Sequence, residues 1–140
     1  MASSSERIAR LNATPFMQAS HISITWQEGD RARGELSVHP ESLNPHGFVH
    51  GGVLTGLADT VSGSAAASRG GRCVTASSTM NYLRPAVGSR IYCSAEPVRV
   101  GKTICVFDAS LTDEAGRLVA KGTFTFHLDR DAPAPLEGCI

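Results

Sequence analysis

The stretch Asn44-Pro45-His46-Gly47-Phe48-Val49-His50-Gly51-Gly52, running at once into Val53-Leu54-Thr55-Gly56-Leu57-Ala58-Asp59, decides how the chain is read. A glycine-rich turn delivers the backbone into an apolar segment of helical period. Glycine lets backbone N–H groups approach a ligand closely, and a helix start adds positive potential there. Asp59 is the one carboxylate of that segment. An acid on an otherwise apolar helix is costly to bury without compensation. Together these features read as a polarising N–H paired with a base or nucleophile.

Working outward, Val53, Leu54, Leu57, Ala58, Val61 and Ala65 recur at helical spacing, which predicts a helix from 53 to about 67. Its other faces carry Gly56, Gly63, Ala66 and Ala67, so it is covered on most sides. Arg69-Gly70-Gly71 ends it. Upstream, His21-Ile22-Ser23-Ile24-Thr25-Trp26 alternates as a strand does. Glu28-Gly29-Asp30 is a turn, and 31–38 is a second strand weakened by Gly34. Residues 39–52 form a long shaped loop, and 1–12 a weak helix with Ile8 and Leu11 on one side. Downstream come four strand-like runs at 73–83, 90–100, 103–112 and 118–128. Every connection between them is short enough for an antiparallel hairpin. The order β-β-α-β-β-β-β points to an α+β fold, an antiparallel sheet curled around one helix. We read one domain over 1–140, with an N-terminal extension at 1–19 and a flexible tail at 129–140 that includes Ala132-Pro133-Ala134-Pro135.

The bulk numbers narrow the class. A chain of 140 residues suits a single core. Thirteen basic and thirteen acidic residues leave no net charge, which favours neither nucleic acid nor an anionic membrane. No apolar run reaches the roughly 18–20 residues of a membrane span, and the start lacks the pattern of a signal peptide. The expectation is a cytoplasmic protein. Cys73, Cys93, Cys105 and Cys139 stand too far apart for a C-x-x-C motif. The first three fall in strand-like runs and read as small buried hydrophobes.

The run Asn44-x5-His50-Gly51-Gly52-x6-Asp59 resembles the signature of hotdog-fold acyl-CoA thioesterases, and within them the PaaI-like branch. Tyr82-Leu83-Arg84-Pro85-Ala86 and Val100-Gly101-Lys102-Thr103 are similar to later motifs of the same family, and the likeness spans roughly 20–128. The resemblance implies a sheet wrapped around the central helix, a homodimer with two sites at the shared interface, and often a homotetramer. It implies hydrolysis of an acyl-CoA thioester without metal or cofactor, CoA being part of the substrate. It places Arg84, Lys102 and Thr103 where the family contacts CoA phosphates. It also implies a hydroxyl near the catalytic acid. Counting back from Pro85 selects Thr75, and counting forward from Asp59 selects Ser77. By two-residue alternation both lie on one strand face.

The chemistry assigns roles. Thioester hydrolysis puts negative charge on the carbonyl oxygen, and a preorganised donor there contributes a few kcal/mol. The N–H of Gly51 is the candidate donor, aided by the helix dipole. Asp59 is the candidate base or nucleophile; its bland alternative is a structural ion pair. Asn44 either positions the attacking water or simply holds the turn before Pro45. His50 is either a second polar contact or a structural histidine, and His46 reads as a loop residue. Gly51 and Asp59 are eight residues apart, roughly 12 Å along a helix at about 1.5 Å per residue. One carbonyl does not easily touch both. A two-fold dimer resolves this, with Gly51 of one subunit facing Asp59 of the other.

Three functions compete at this stage. The first is hydrolysis of phenylacetyl-CoA, a related aryl-CoA or a medium-chain acyl-CoA. The second is a non-catalytic acyl-CoA sensor on the same fold, for which no output domain is visible in the sequence. The third is a hotdog dehydratase or hydratase, which His50-Gly51-Gly52 fits poorly.

Overall fold

The computed structural model describes residues 2–133. Cys139 and the tail from 134 onward lie outside the described residues. The elements are α1 (Ser4–Asn12), α2 (Pro15–Ser20), β1 (Ile22–Glu28), β2 (Arg31–Ser37), α3 (Gly51–Ala66), β3 (Arg72–Tyr82), β4 (Arg90–Val100), β5 (Ile104–Thr112) and β6 (Leu118–Asp129). The six strands form one antiparallel sheet in the order β1-β2-β4-β5-β6-β3. It curls around α3, so the α+β reading holds.

Helix α3 turns Leu54, Leu57, Ala58, Val61 and Ala65 into the core, against Leu36, Ile91, Phe107, Leu111, Phe124 and Phe126 of the sheet. Gly34, which weakened the second strand in the sequence, has a reason to be there. A Cβ on it would lie 2.7 Å from Val61 Cγ2, so the strand needs a glycine for the helix to pack this close. The opposite stripe of the helix, with Gly56, Asp59, Thr60 and Gly63, is only half-buried.

Three expectations are corrected. The link from β3 to β4 is not a hairpin: β3 pairs with β6, and β4 lies between β2 and β5. Segment 84–89 instead crosses the end of the sheet under the 44–49 loop, where Ala86 O accepts Val49 N–H at 2.9 Å and Ser89 O accepts Val38 N–H at 2.9 Å. A short link reaches a distant strand because the sheet is strongly curled. Second, α3 begins at Gly51 rather than Val53. Third, the N-terminal extension carries a second helix beyond the weak one at 1–12, α2 at Pro15–Ser20. Its signal was present in Thr14-Pro15, an N-cap type followed by proline at the first helical position. Strand β6 runs to Asp129, the first residue of the segment expected as a tail.

The two sheet edges differ. At β1, Asn12 makes a peptide-like pair with Ile24: its Nδ2 donates to Ile24 O at 3.0 Å, and its Oδ1 accepts Ile24 N–H at 2.8 Å. Helix α1, fixed by a capping box between Ser3 and Glu6, packs alongside. Edge β3 has no such cover. All eleven of its residues are exposed except Cys73 and Met80, which are half-buried.

Candidate active site

The helix start is built by the loop before it. Asn44 Oδ1 accepts the N–H groups of His46 at 2.9 Å and Phe48 at 3.1 Å, which folds the turn. Its Nδ2 has no partner among the described residues, so Asn44 holds the turn with one end and keeps a donor at the other. His50 caps α3: its Nδ1 accepts Gly52 N–H at 2.8 Å, which requires the ring proton on Nε2. The main chain of His50 is anchored too, its N–H donating to Ser42 O at 2.8 Å. The Gly51 N–H donates to nothing among the described residues and stands free at the helix mouth.

Sequence reasoning missed what grips this loop from below. The rings of His21 and His39 stack at 3.6 Å, and His21 Nε2 bonds Glu41 Oε1 at 2.8 Å. The backbone N–H of Glu41 and then His21 hold the Glu41 carboxyl below its ordinary value. Histidines eighteen residues apart carry no periodic signal, so only the fold reveals the clasp. The sequence pattern gives Tyr82 no role of its own. Its hydroxyl bonds Thr55 Oγ1 at 2.5 Å, and its ring would touch a Cβ on Gly51 at 3.4 Å.

Asp59 is half-buried, less enclosed than its apolar helix suggested. Thr75 Oγ1 donates to Asp59 Oδ1 at 2.7 Å, leaving Oδ2 without a partner among the described residues. The two hydroxyls from the sequence do not share a face. Thr75 pairs with Phe126 and Ser77 with Thr125, so the intervening Ala76 is a β-bulge. Phe126 points into the core and Thr125 away from it. Thr75 is thus brought to Asp59, and Ser77 is turned to the outer face.

Cys73 lies on the same strand, yet burial first, then the charges of Cys105 and Asp59, push its thiol up to about 12. It stays protonated at neutral pH and is no nucleophile.

A groove of about 370 Å³ opens beside the helix start, lined by Asn44, Phe48, Gly51, Leu54, Tyr82 and Arg84, among others. A second hollow, lined by Glu96, Asp108 and Lys121, lies on the outer face of the sheet, away from Asp59. Arg84 and the pair Lys102–Thr103 are not one cluster in a single chain. Pairing of Tyr82 with Ala120 puts Arg84 near the helix start, while pairing of Ile104 with His127 puts Lys102 near its end. The seven residue steps from Ala120 to His127 span roughly 23 Å of strand.

One long helix gripped by a six-stranded antiparallel sheet, with a glycine turn at its mouth and an acid on its open stripe, defines a hotdog-fold protein of thioesterase type. The sequence pattern of the Thioesterase superfamily matches residues 46–120. The chain is 35% identical to human acyl-coenzyme A thioesterase 13 over 98 residues, 67% of this chain and 70% of that one. Its fold superimposes with a TM-score of 0.83 on the PaaI protein of the Escherichia coli phenylacetic acid degradation operon, at 26% identity, covering 90% of this chain and 94% of that one. It superimposes with a TM-score of 0.74 on a Streptococcus mutans protein bound to acetyl-CoA, at 31% identity, covering 79% and 90%. The chain belongs to the Thioesterase superfamily and is a PaaI-like hotdog thioesterase.

Proposed function

We propose that the protein hydrolyses an acyl-CoA thioester, with Asp59 as base or nucleophile and the Gly51 N–H as oxyanion donor. The observation that carries this reading is the Thr75–Asp59 hydrogen bond of 2.7 Å, which fixes the carboxylate through one oxygen and leaves the other free. A free carboxylate oxygen is what attack on a carbonyl, or on water, requires. The free N–H at a helix start is what a developing oxyanion requires. The likeness to human acyl-coenzyme A thioesterase 13 and to a protein bound to acetyl-CoA supports CoA as the thiol. The acyl groups in view are phenylacetyl, a related aryl group or a medium chain.

Gly51 and Asp59 act in one site only across a two-fold. The open edge of β3 supplies one, since β1 is sealed by Asn12. Thr75 marks the Asp59 end of β3 and Tyr82 the Gly51 end. A two-fold midway between them pairs β3 with its copy antiparallel and sets Asp59 against the partner's Gly51. The same rotation carries Lys102 and Thr103 of the partner subunit toward Arg84, which makes the basic groups one CoA-phosphate site.

Thiol release from a panel of acyl-CoAs tests the reading. Asp59→Asn is expected to fold normally and to lose at least about 100-fold in kcat. A variant as active as the wild type removes Asp59 from the chemistry. Tight binding of every ester without turnover by the wild type supports the sensor instead.

A further inference from the structure

We infer that Tyr82 is a positioning residue for the reaction: acting through Thr55, it fixes the turn that carries the Gly51 N–H to strand β3. The inference rests on Gly51 of one subunit meeting Asp59 of the other across β3.

The start of α3 is weak as a helix. Gly51 and Gly52 open it, and glycine holds helical geometry poorly. His50 secures the turn from its end. The His50 carbonyl accepts the N–H groups of Val53 at 2.9 Å and Leu54 at 3.1 Å, and its Nδ1 accepts that of Gly52 at 2.8 Å. The Gly51 N–H is the donor of that turn left open among the described residues. Its direction depends on what packs against the turn from the side.

Tyr82 packs there. A Cβ on Gly51 would meet the Tyr82 ring at 3.4 Å and its hydroxyl at 3.8 Å. The same hydroxyl bonds Thr55 Oγ1 at 2.5 Å, one turn further along the same helix face. Among the described residues, two side chain–side chain hydrogen bonds join β3 to α3: Thr75 to Asp59 at 2.7 Å, and Tyr82 to Thr55. One ties the acid to the strand, and the other ties the turn that carries the donor. Where β3 pairs with its copy, these two ties set the distance from donor to acid across the two-fold. A displacement of about 1 Å at a reacting centre costs up to about 100-fold in rate. The Tyr82 bond does little for the fold itself. The residue is 52% exposed, and a hydroxyl pair open to water adds little to stability.

The test is kcat and KM by thiol release, on the acyl-CoA that the wild type turns over fastest, for Tyr82→Phe, Thr55→Val and the two combined. Each single change is expected to lower kcat about tenfold and to leave KM within about threefold, with unchanged thermal melts. The combined variant is expected to be no worse than either, because the two hydroxyls act as one unit. Thr55→Ser keeps the hydroxyl and is expected to recover most of the loss. A kcat loss in Tyr82→Phe with Thr55→Val at the wild-type value overturns the inference, since the tyrosine then acts on the substrate directly. A rise in KM at constant kcat overturns it too, and marks Tyr82 as a wall of the groove. If Tyr82→Phe runs as a monomer in gel filtration, Thr55→Val, on the helix rather than the shared strand, decides alone. A wild type that turns over and an Asp59→Asn variant that does not show the thioesterase reading intact when this inference falls. If the wild type releases thiol from no acyl-CoA, that reading fails and takes this inference with it.

Discussion

Thr75 on β3 donates its hydroxyl to Asp59 Oδ1 on α3 across 2.7 Å, and a β-bulge at Ala76 is what aims it there. A hydrogen bond to a charged group contributes about 1.5–3 kcal/mol. Thr75→Val, which keeps the shape and removes the donor, is expected to lower kcat by about tenfold or more in a thiol-release assay. Thr75→Ser keeps the donor and is expected to stay within about threefold. Ser77→Ala, on the outer face, should leave kcat unchanged. A loss at Ser77 equal to that at Thr75 would sink the assignment of the hydroxyl.

His50 and Gly52 make the next prediction. The Nδ1 of His50 caps the helix on the Gly52 N–H at 2.8 Å. His50→Ala leaves that donor unsatisfied and is expected to cost about 1 kcal/mol of stability, read in urea unfolding. His50→Asn supplies another capping oxygen and should recover most of it. If His50 moved protons in the reaction, Asn would restore stability but not turnover. Parallel recovery of both marks the residue as a cap.

Much of this was legible before the fold was in hand. Period alone located the core face of α3, and alternation located the strands, because both patterns are set by burial of one face. Asp59 and Gly51 stand out as candidates in the letters because an acid on an apolar helix is costly to bury and a glycine at its mouth lets a ligand approach. The bulge at Ala76 was not legible: alternation continues through Thr75 and Ser77 in the letters while the backbone inserts a residue. The β3–β4 crossover was missed for a related reason, since loop length alone does not report sheet curl. Helix α2 was not legible because six residues give too few turns to show a period.

Two carboxylates tie stability to pH. Arg69 donates to Asp30 through Nε at 2.8 Å and Nη2 at 2.6 Å, and this hydrogen bonding chiefly holds the Asp30 carboxyl below its usual value. In the β5–β6 turn, the backbone N–H of Arg117 first, then its guanidinium and the Ala115 N–H, lower Asp113. Both folded values lie below the unfolded value of about 3.9. The unfolded chain therefore binds more protons in that range, and stability rises with pH there. The contribution is complete above the unfolded value and is lost as pH falls toward the folded ones. Urea midpoints between about pH 2 and pH 5 should climb with pH in the wild type and climb less in Asp113→Asn. Identical slopes would show that the carboxylate is not linked to folding.

The shared site has a test that needs no structure of the dimer. Gly51→Pro removes the single N–H assigned to the oxyanion, yet proline suits the first helical position. The preceding His50 already has φ −60° and ψ 135°, the conformation that proline demands of its neighbour. Gly51→Pro and Asp59→Asn are each expected to be inactive as pure proteins. Mixed after denaturation and refolding, half of the dimers pair one chain of each kind. Each such dimer holds one ruined site and one in which the intact Asp59 meets the partner's intact Gly51. Activity should therefore return to about a quarter of the wild type, a recovery that two-fold sharing requires. A site contained within one chain gives no recovery at any mixing ratio, because every chain in the mixture then carries a defect in its own site.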